Sequence, residues 1–150
     1  MELYKEEKII DAVKFLLAGR VNEILGAAEY PLPPIEFGGY EGRSVVVPVI
    51  ALSTCERTEK ERIIRLDAYS LTIAFALSEN PDGESRCYAY AAAVDRALGE
   101  YPALGGAVSR AVLAGKKYVQ PKKPHCGDGW EVILTFRVTA ENPHPCGFSA

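Results

Sequence analysis

The chain has 150 residues, of which 48% are hydrophobic and 25% charged, and its formal net charge is −3. Those values describe one ordinary globular domain, long enough to bury a core without disulfides or metal. They supply no overall charge to attract nucleic acid or an acidic membrane, and no apolar run approaches the roughly 20 residues that cross a bilayer.

The opening "MELYKEEKII" is too charged for a signal peptide, which leads us to expect synthesis inside the cell. In a reducing cytosol Cys55, Cys87, Cys126 and Cys146 are expected as thiols. Residues Glu2 to about Leu25 read as a helix, because Ile10, Val13, Leu17, Val21 and Ile24 recur at three and four. Gly19 is the place where that helix would bend or split. "YPLPPIEFGGYEGR", from Tyr30 to Arg43, reads as a loop pinned by Tyr30, Phe37 and Tyr40.

"SVVVPVIAL", Ser44 to Leu52, is strand-like. Pro48 cannot donate a ladder hydrogen bond, so the segment is expected at an edge or a bulge. Ser53 to Arg62 is polar and reads as a hairpin tip. The strand from about Ile63 to Leu77 is unusually long, roughly 50 Å at about 3.3 Å per residue. Its residues Tyr69, Leu71, Ile73, Phe75 and Leu77 form a core face. Ala68, Ser70, Thr72, Ala74 and Ala76 form the opposite face, too small for a core and too neutral for open water.

"ENPDGESRCYAYAAAVDRALGEYP" turns from loop to helix, with Asp82 as a candidate N-cap and Gly99 and Pro102 as the stop. Val108 to Val119 and Trp130 to Glu141 read as strands, the second with Val132, Leu134, Phe136 and Val138 on one face. The order is helix, strand, strand, helix, strand, strand. It predicts an α+β domain over residues 1–141, with an antiparallel four-stranded sheet of two hairpins and two helices on one face. "NPHPCGFSA", residues 142–150, is expected as a flexible tail.

Motifs for chemistry are sparse. There is no phosphate loop, no dinucleotide fingerprint and no nucleophile elbow. His125, Cys126, His144 and Cys146 lack zinc-site spacing and read as loop and tail residues. No metal, cofactor or catalytic residue is expected. His125, Cys126 and Asp128 remain the reactive candidates of an alternative reading, a small-ligand-binding α+β domain or an enzyme. Asp67 shares the parity of Tyr69 and Leu71 and reads as a strand end passing into solvent. The lysines between Lys116 and Lys123 read as a solvated hairpin loop.

The strand "RLDAYSLTIAFAL", the helix "SRCYAYAAAVDRAL", the "GG" link and the hairpin ending "GWEVILTFRVTAE" together resemble tail terminator (tail completion) and head–tail neck proteins of long-tailed bacteriophages. The resemblance covers roughly Val45 to Glu141. It implies a small α+β protein without catalysis, assembled as a homo-oligomeric ring, commonly a hexamer. Such a ring would cap the tail-tube protein, meet the head connector and let DNA pass without gripping it. It would be built in the bacterial host cytoplasm and end in the virion, with no membrane involved. Subunits of a ring lend surface to neighbours, so Ala68, Ser70, Thr72, Ala74 and Ala76 are expected at a subunit interface. The competing expectation is that the alanine-rich helix packs on them.

Overall fold

The computed structural model describes residues 5–27, 32–37, 46–59, 64–77, 83–121 and 129–143. A first helical rod comprises α1 (Lys5–Leu16), a π-helical turn (Leu17–Val21) and α2 (Asn22–Gly26). Strands β1 (Val49–Glu59) and β2 (Ile64–Ala76) follow, then α3 (Gly83–Glu100), β3 (Arg110–Val119) and β4 (Glu131–Pro143). All strand pairs are antiparallel, in the spatial order β1-β2-β4-β3. The arrangement is the α+β order that the periodicities predict.

The rod buries Ile9, Val13, Leu17, Val21 and Leu25, each four residues from the last. An α-helix turns in 3.6 residues, so a strict four-residue stripe slips by about 40° per repeat. The wider π turn takes up part of that slip and keeps the stripe against the sheet. Gly19, the expected bend, lies inside this turn.

Helix α3 buries Cys87, Tyr90, Val94 and Leu98, with Ala91, Ala93 and Ala97 keeping its buried side thin. Tyr90 is fully buried with its ring 5.3 Å from that of Phe75. Its hydroxyl donates to the Pro33 carbonyl at 2.5 Å. Asn22 fixes the same segment. Its amide donates to the Ile35 carbonyl at 2.8 Å and its oxygen accepts from the Ile35 N–H at 2.7 Å. Phe37 packs against the core with the Lys14 ammonium 5.6 Å from its ring centre, so this part of the loop is pinned as expected. Tyr30 and Tyr40 lie outside the described residues, as does Asp82.

After α3 the chain reverses through Leu104, Gly105 and Gly106 at φ 50°, 69° and 99°. Glycine takes such angles freely. Leucine does not, and burial to 5% exposure holds Leu104 there against a cost of about 1–3 kcal/mol.

Three boundaries differ from expectation. Pro48 precedes β1 rather than interrupting it, and Val46 before it bridges in parallel to Ile35. β1 is nevertheless an edge strand, as Pro48 suggested. The polar residues from Ser53 to Glu59, read as a hairpin tip, belong to β1. The long β2 gives them a ladder partner, and both side-chain faces are exposed from Ser53 to Arg57, which suits polar residues. β4 also runs past Glu141, because Ile64 and Arg65 of β2 offer partners to Pro143 and Asn142.

Each edge strand carries one bulge. Ser53 is extra between the pairs Leu52–Leu71 and Thr54–Ser70. Ala114 is extra between Leu113–Phe136 and Gly115–Thr135. Leu71 pairs with Phe136, so the two bulges lie at one level on opposite edges.

Candidate functional site

Among the described residues, the sheet is covered on one side only. Tyr69, Leu71, Ile73, Phe75 and Leu77 are 0–7% exposed, and so are Val132, Leu134, Phe136 and Val138. These point to the helices. On the other side, Ala68, Ser70, Thr72 and Ala74 are only partly buried and Ala76 is exposed. Helix α3 therefore does not pack on the small residues. It takes the greasier face, where each large side chain buried is worth about 1.5–3 kcal/mol.

The pairing defines what else lies on the open face. Ala74 stands beside Val49 and Ile133, Thr72 beside Ala51 and Thr135, and Ser70 beside Thr54 and Arg137. Val49 is 68% exposed and Val112, beside Arg137, is 44% exposed. Bulges bend a sheet. Where these two bend it, the open face holds a hollow of about 220 Å³ edged by Thr54, Ser70, Thr135 and Arg137. Small residues, Ala68, Ser70 and Ala114, line it together with the charged Glu56 and Arg137.

Asp67 does not pass into solvent. It is 0% exposed and meets the Arg57 guanidinium through Nε at 2.6 Å and Nη2 at 2.8 Å. Tyr69 lies alongside and donates its hydroxyl to Glu6 of α1 at 2.5 Å. A carboxylate at this depth persists only with a charged partner, and register supplies it, since Arg57 pairs directly with Asp67. The Asp67 hydrogen bonds push the Arg57 guanidinium pKa upward. The exposed Cys55 beside it has its thiol pKa raised, first by desolvation and then by the Asp67 charge. A raised thiol is a weak nucleophile. The cluster fastens the start of α1 to the β1–β2 pair rather than activating a group.

A second cleft, about 690 Å³, opens on the helix side between the first rod and the turn at Leu104. Phe15, 82% exposed, and Tyr101, 49% exposed, border it. Arg20 spans its polar end, donating to Glu100 at 2.7 and 2.9 Å. Those bonds to Arg20 hold the Glu100 carboxyl below its usual range. No motif or periodicity in the sequence points to this cleft. An apolar Phe15 outside the buried stripe is the one signal that marks it.

His125, Cys126, Asp128, His144 and Cys146 lie outside the described residues, and so do Lys122 and Lys123. Lys116 and Lys117 belong to β3, with Lys116 3.9 Å from Asp95. Among the described residues no three His, Cys, Asp or Glu side chains converge as metal ligands, and no helix is long and apolar enough to cross a membrane. The chain matches no protein-family model and no curated protein.

Proposed function

We propose that the chain is a non-enzymatic virion assembly protein, a ring-forming tail terminator that caps a phage tail tube and joins it to the head connector. The observation that carries this reading is the one-sided sheet. Two long central strands, β2 and β4, are packed by helices on one face and, among the described residues, left uncovered on the other. The uncovered side has a row of Ala, Ser and Thr along β2, with Ile133, Thr135 and Arg137 of β4 beside it and Val49 and Val112 at its flanks, a face that a neighbouring subunit can approach closely. Ala68, Ser70, Thr72, Ala74 and Ala76 are the interface residues of this proposal. The phage assignment rests on the resemblance of the element order and its side-chain types to tail terminator proteins.

In this reading the partners are further copies of the chain, the tail-tube protein and the connector. DNA passes through without specific binding, and the protein moves from the host cytoplasm into the virion. Solution mass together with negative-stain images tests it. A symmetric ring with an open centre is the expected particle. A monomer at all concentrations would sink the proposal.

A further inference from the structure

We infer that successive copies join edge to edge, with β3 of one chain pairing to β1 of the next. This rests on the ring proposed above and assigns the surfaces that close it. Among the described residues both edges are open. Side chains of β1 from Ser53 to Arg57 and of β3 from Ala114 to Lys117 are exposed on both faces, and no described strand borders either edge.

Strand direction permits the contact. β1, β2, β4 and β3 alternate in direction, so β1 and β3 run opposite ways. A second copy in the same orientation therefore sets its β1 antiparallel to the first copy's β3, and the alternation continues.

Charge selects this contact over the alternatives. β1 carries two acids, Glu56 and Glu59, and one base, Arg57, which is already paired to Asp67. β3 carries Arg110, Lys116 and Lys117 and no acid. Pairing β1 with β1, or β3 with β3, would oppose like charges. Lysines on an edge ordinarily deter sheet growth. Here they repel a second β3, while Arg110 at the other end of the strand attracts the acids of β1. Opposite charges across strands stabilise and like charges destabilise.

Register adds the positions. Glu56 pairs with Ala68, Ala68 with Thr139, and Thr139 with Arg110. Glu56 and Arg110 thus end one row across the open face, one at each edge. A copy repeated without a shift along the strands brings its Glu56 level with the Arg110 of its neighbour. The bulges at Ser53 and Ala114 share a level as well, so the two kinks meet. A head-to-tail contact of this kind closes into a ring when the rotation allows. The open faces then join into a belt, whose covering by a neighbouring subunit is a separate contact.

Charge reversal tests the inference, read as particle mass against concentration at low salt. Glu56→Arg and Arg110→Glu should each weaken association roughly tenfold per contact. The double variant Glu56→Arg/Arg110→Glu should restore it, and so should an equal mixture of the two single variants. Both positions are exposed, and circular dichroism checks that every variant stays folded. A ring that ignores both reversals overturns edge pairing and leaves the ring proposal standing. A dimer that goes no further overturns the head-to-tail contact. A wild-type chain that stays monomeric overturns both.

Discussion

Arg57 and Asp67 face each other across β1 and β2 in an ion pair with one end in water. The Arg57 side chain is 48% exposed and the Asp67 side chain 0%. Breaking such a pair from the exposed side strands the buried charge. Arg57→Met should therefore cost about 2–3 kcal/mol, below the 3–5 kcal/mol of a fully buried pair because water can reach the vacated side. Tyr69→Phe should cost less, about 1 kcal/mol or under, since exposed Glu6 exchanges its partner for water. Urea unfolding midpoints would measure both. An Arg57→Met midpoint equal to wild type would show that the pair contributes nothing.

Alkaline pH should destabilise the fold through Cys87 and Tyr90. Burial pushes the Cys87 thiol up to about 11 and the Tyr90 hydroxyl up to about 12. The unfolded chain loses these protons first, so the native state binds more protons and stability falls as pH rises. For Cys87 the loss begins near its ordinary value of 9.0 and levels off near 11, reaching about 2–3 kcal/mol at most. Cys87→Ala should flatten that leg of the stability profile and keep a loss that starts near 10 from Tyr90. Parallel wild-type and variant profiles between these limits would refute the assignment.

Thiol labelling should separate the two described free cysteines. Cys55 is exposed on β1 and Cys87 is 0% exposed on the buried side of α3. In a Cys126→Ser/Cys146→Ser background, Cys55 should react in the folded monomer and Cys87 only on unfolding. If β1 of one copy meets β3 of the next, Cys55 should label many-fold more slowly in the assembled particle. Equal Cys55 rates in monomer and ring would place β1 outside the contact.

The alternation in β2 and β4 exposed the layer order in advance, because a period of two puts one set of side chains inside and the other out. Helix α3 was legible for the same reason: its alanines and its Cys87–Tyr90–Val94–Leu98 stripe can serve one face only. What could not be read from periodicity depends on register. Asp67 and Arg57 are ten residues apart and become partners only once the β1–β2 hairpin is aligned. The row that ends in Glu56 and Arg110 needs three strand pairings at once. Asn22 looks like a surface helix residue, and its pair of hydrogen bonds to Ile35 depends on where the proline-rich loop returns. The π turn did leave a trace: alongside the threes and fours, one apolar set, Ile9, Val13, Leu17, Val21 and Leu25, recurs at four throughout.

The Arg20–Glu100 pair contributes to the acid limb of stability. Hydrogen bonds from Arg20 lower the Glu100 pKa, so the unfolded carboxylate protonates first as pH falls. The contribution is complete above the ordinary carboxylate range and is lost as pH drops through the lowered folded value. Wild type and Glu100→Gln should therefore differ at neutral pH and converge in acid. Melting temperatures across that range would check it, and a gap that persists at the acid end would assign the difference to another cause.

Ala74 gives the sharpest separation between a free face and a hidden one. Its neighbours across the strands are Val49 and Ile133, and its side chain lies on the side without helices. In the monomer, Ala74→Glu leaves the new carboxylate in water, where surface changes usually stay within about 0.5 kcal/mol. Ile73→Glu, one residue earlier and 0% exposed, puts the same group among the helices, where an unpaired charge costs several kcal/mol. The first variant should keep native circular dichroism and the second should unfold. If a neighbouring subunit covers the small face, Ala74→Glu must bury its charge in a contact shaped for a methyl group, and particle formation and tube capping should fall while the monomer stays intact. A folded Ala74→Glu variant that assembles and caps like wild type would leave this face without a partner.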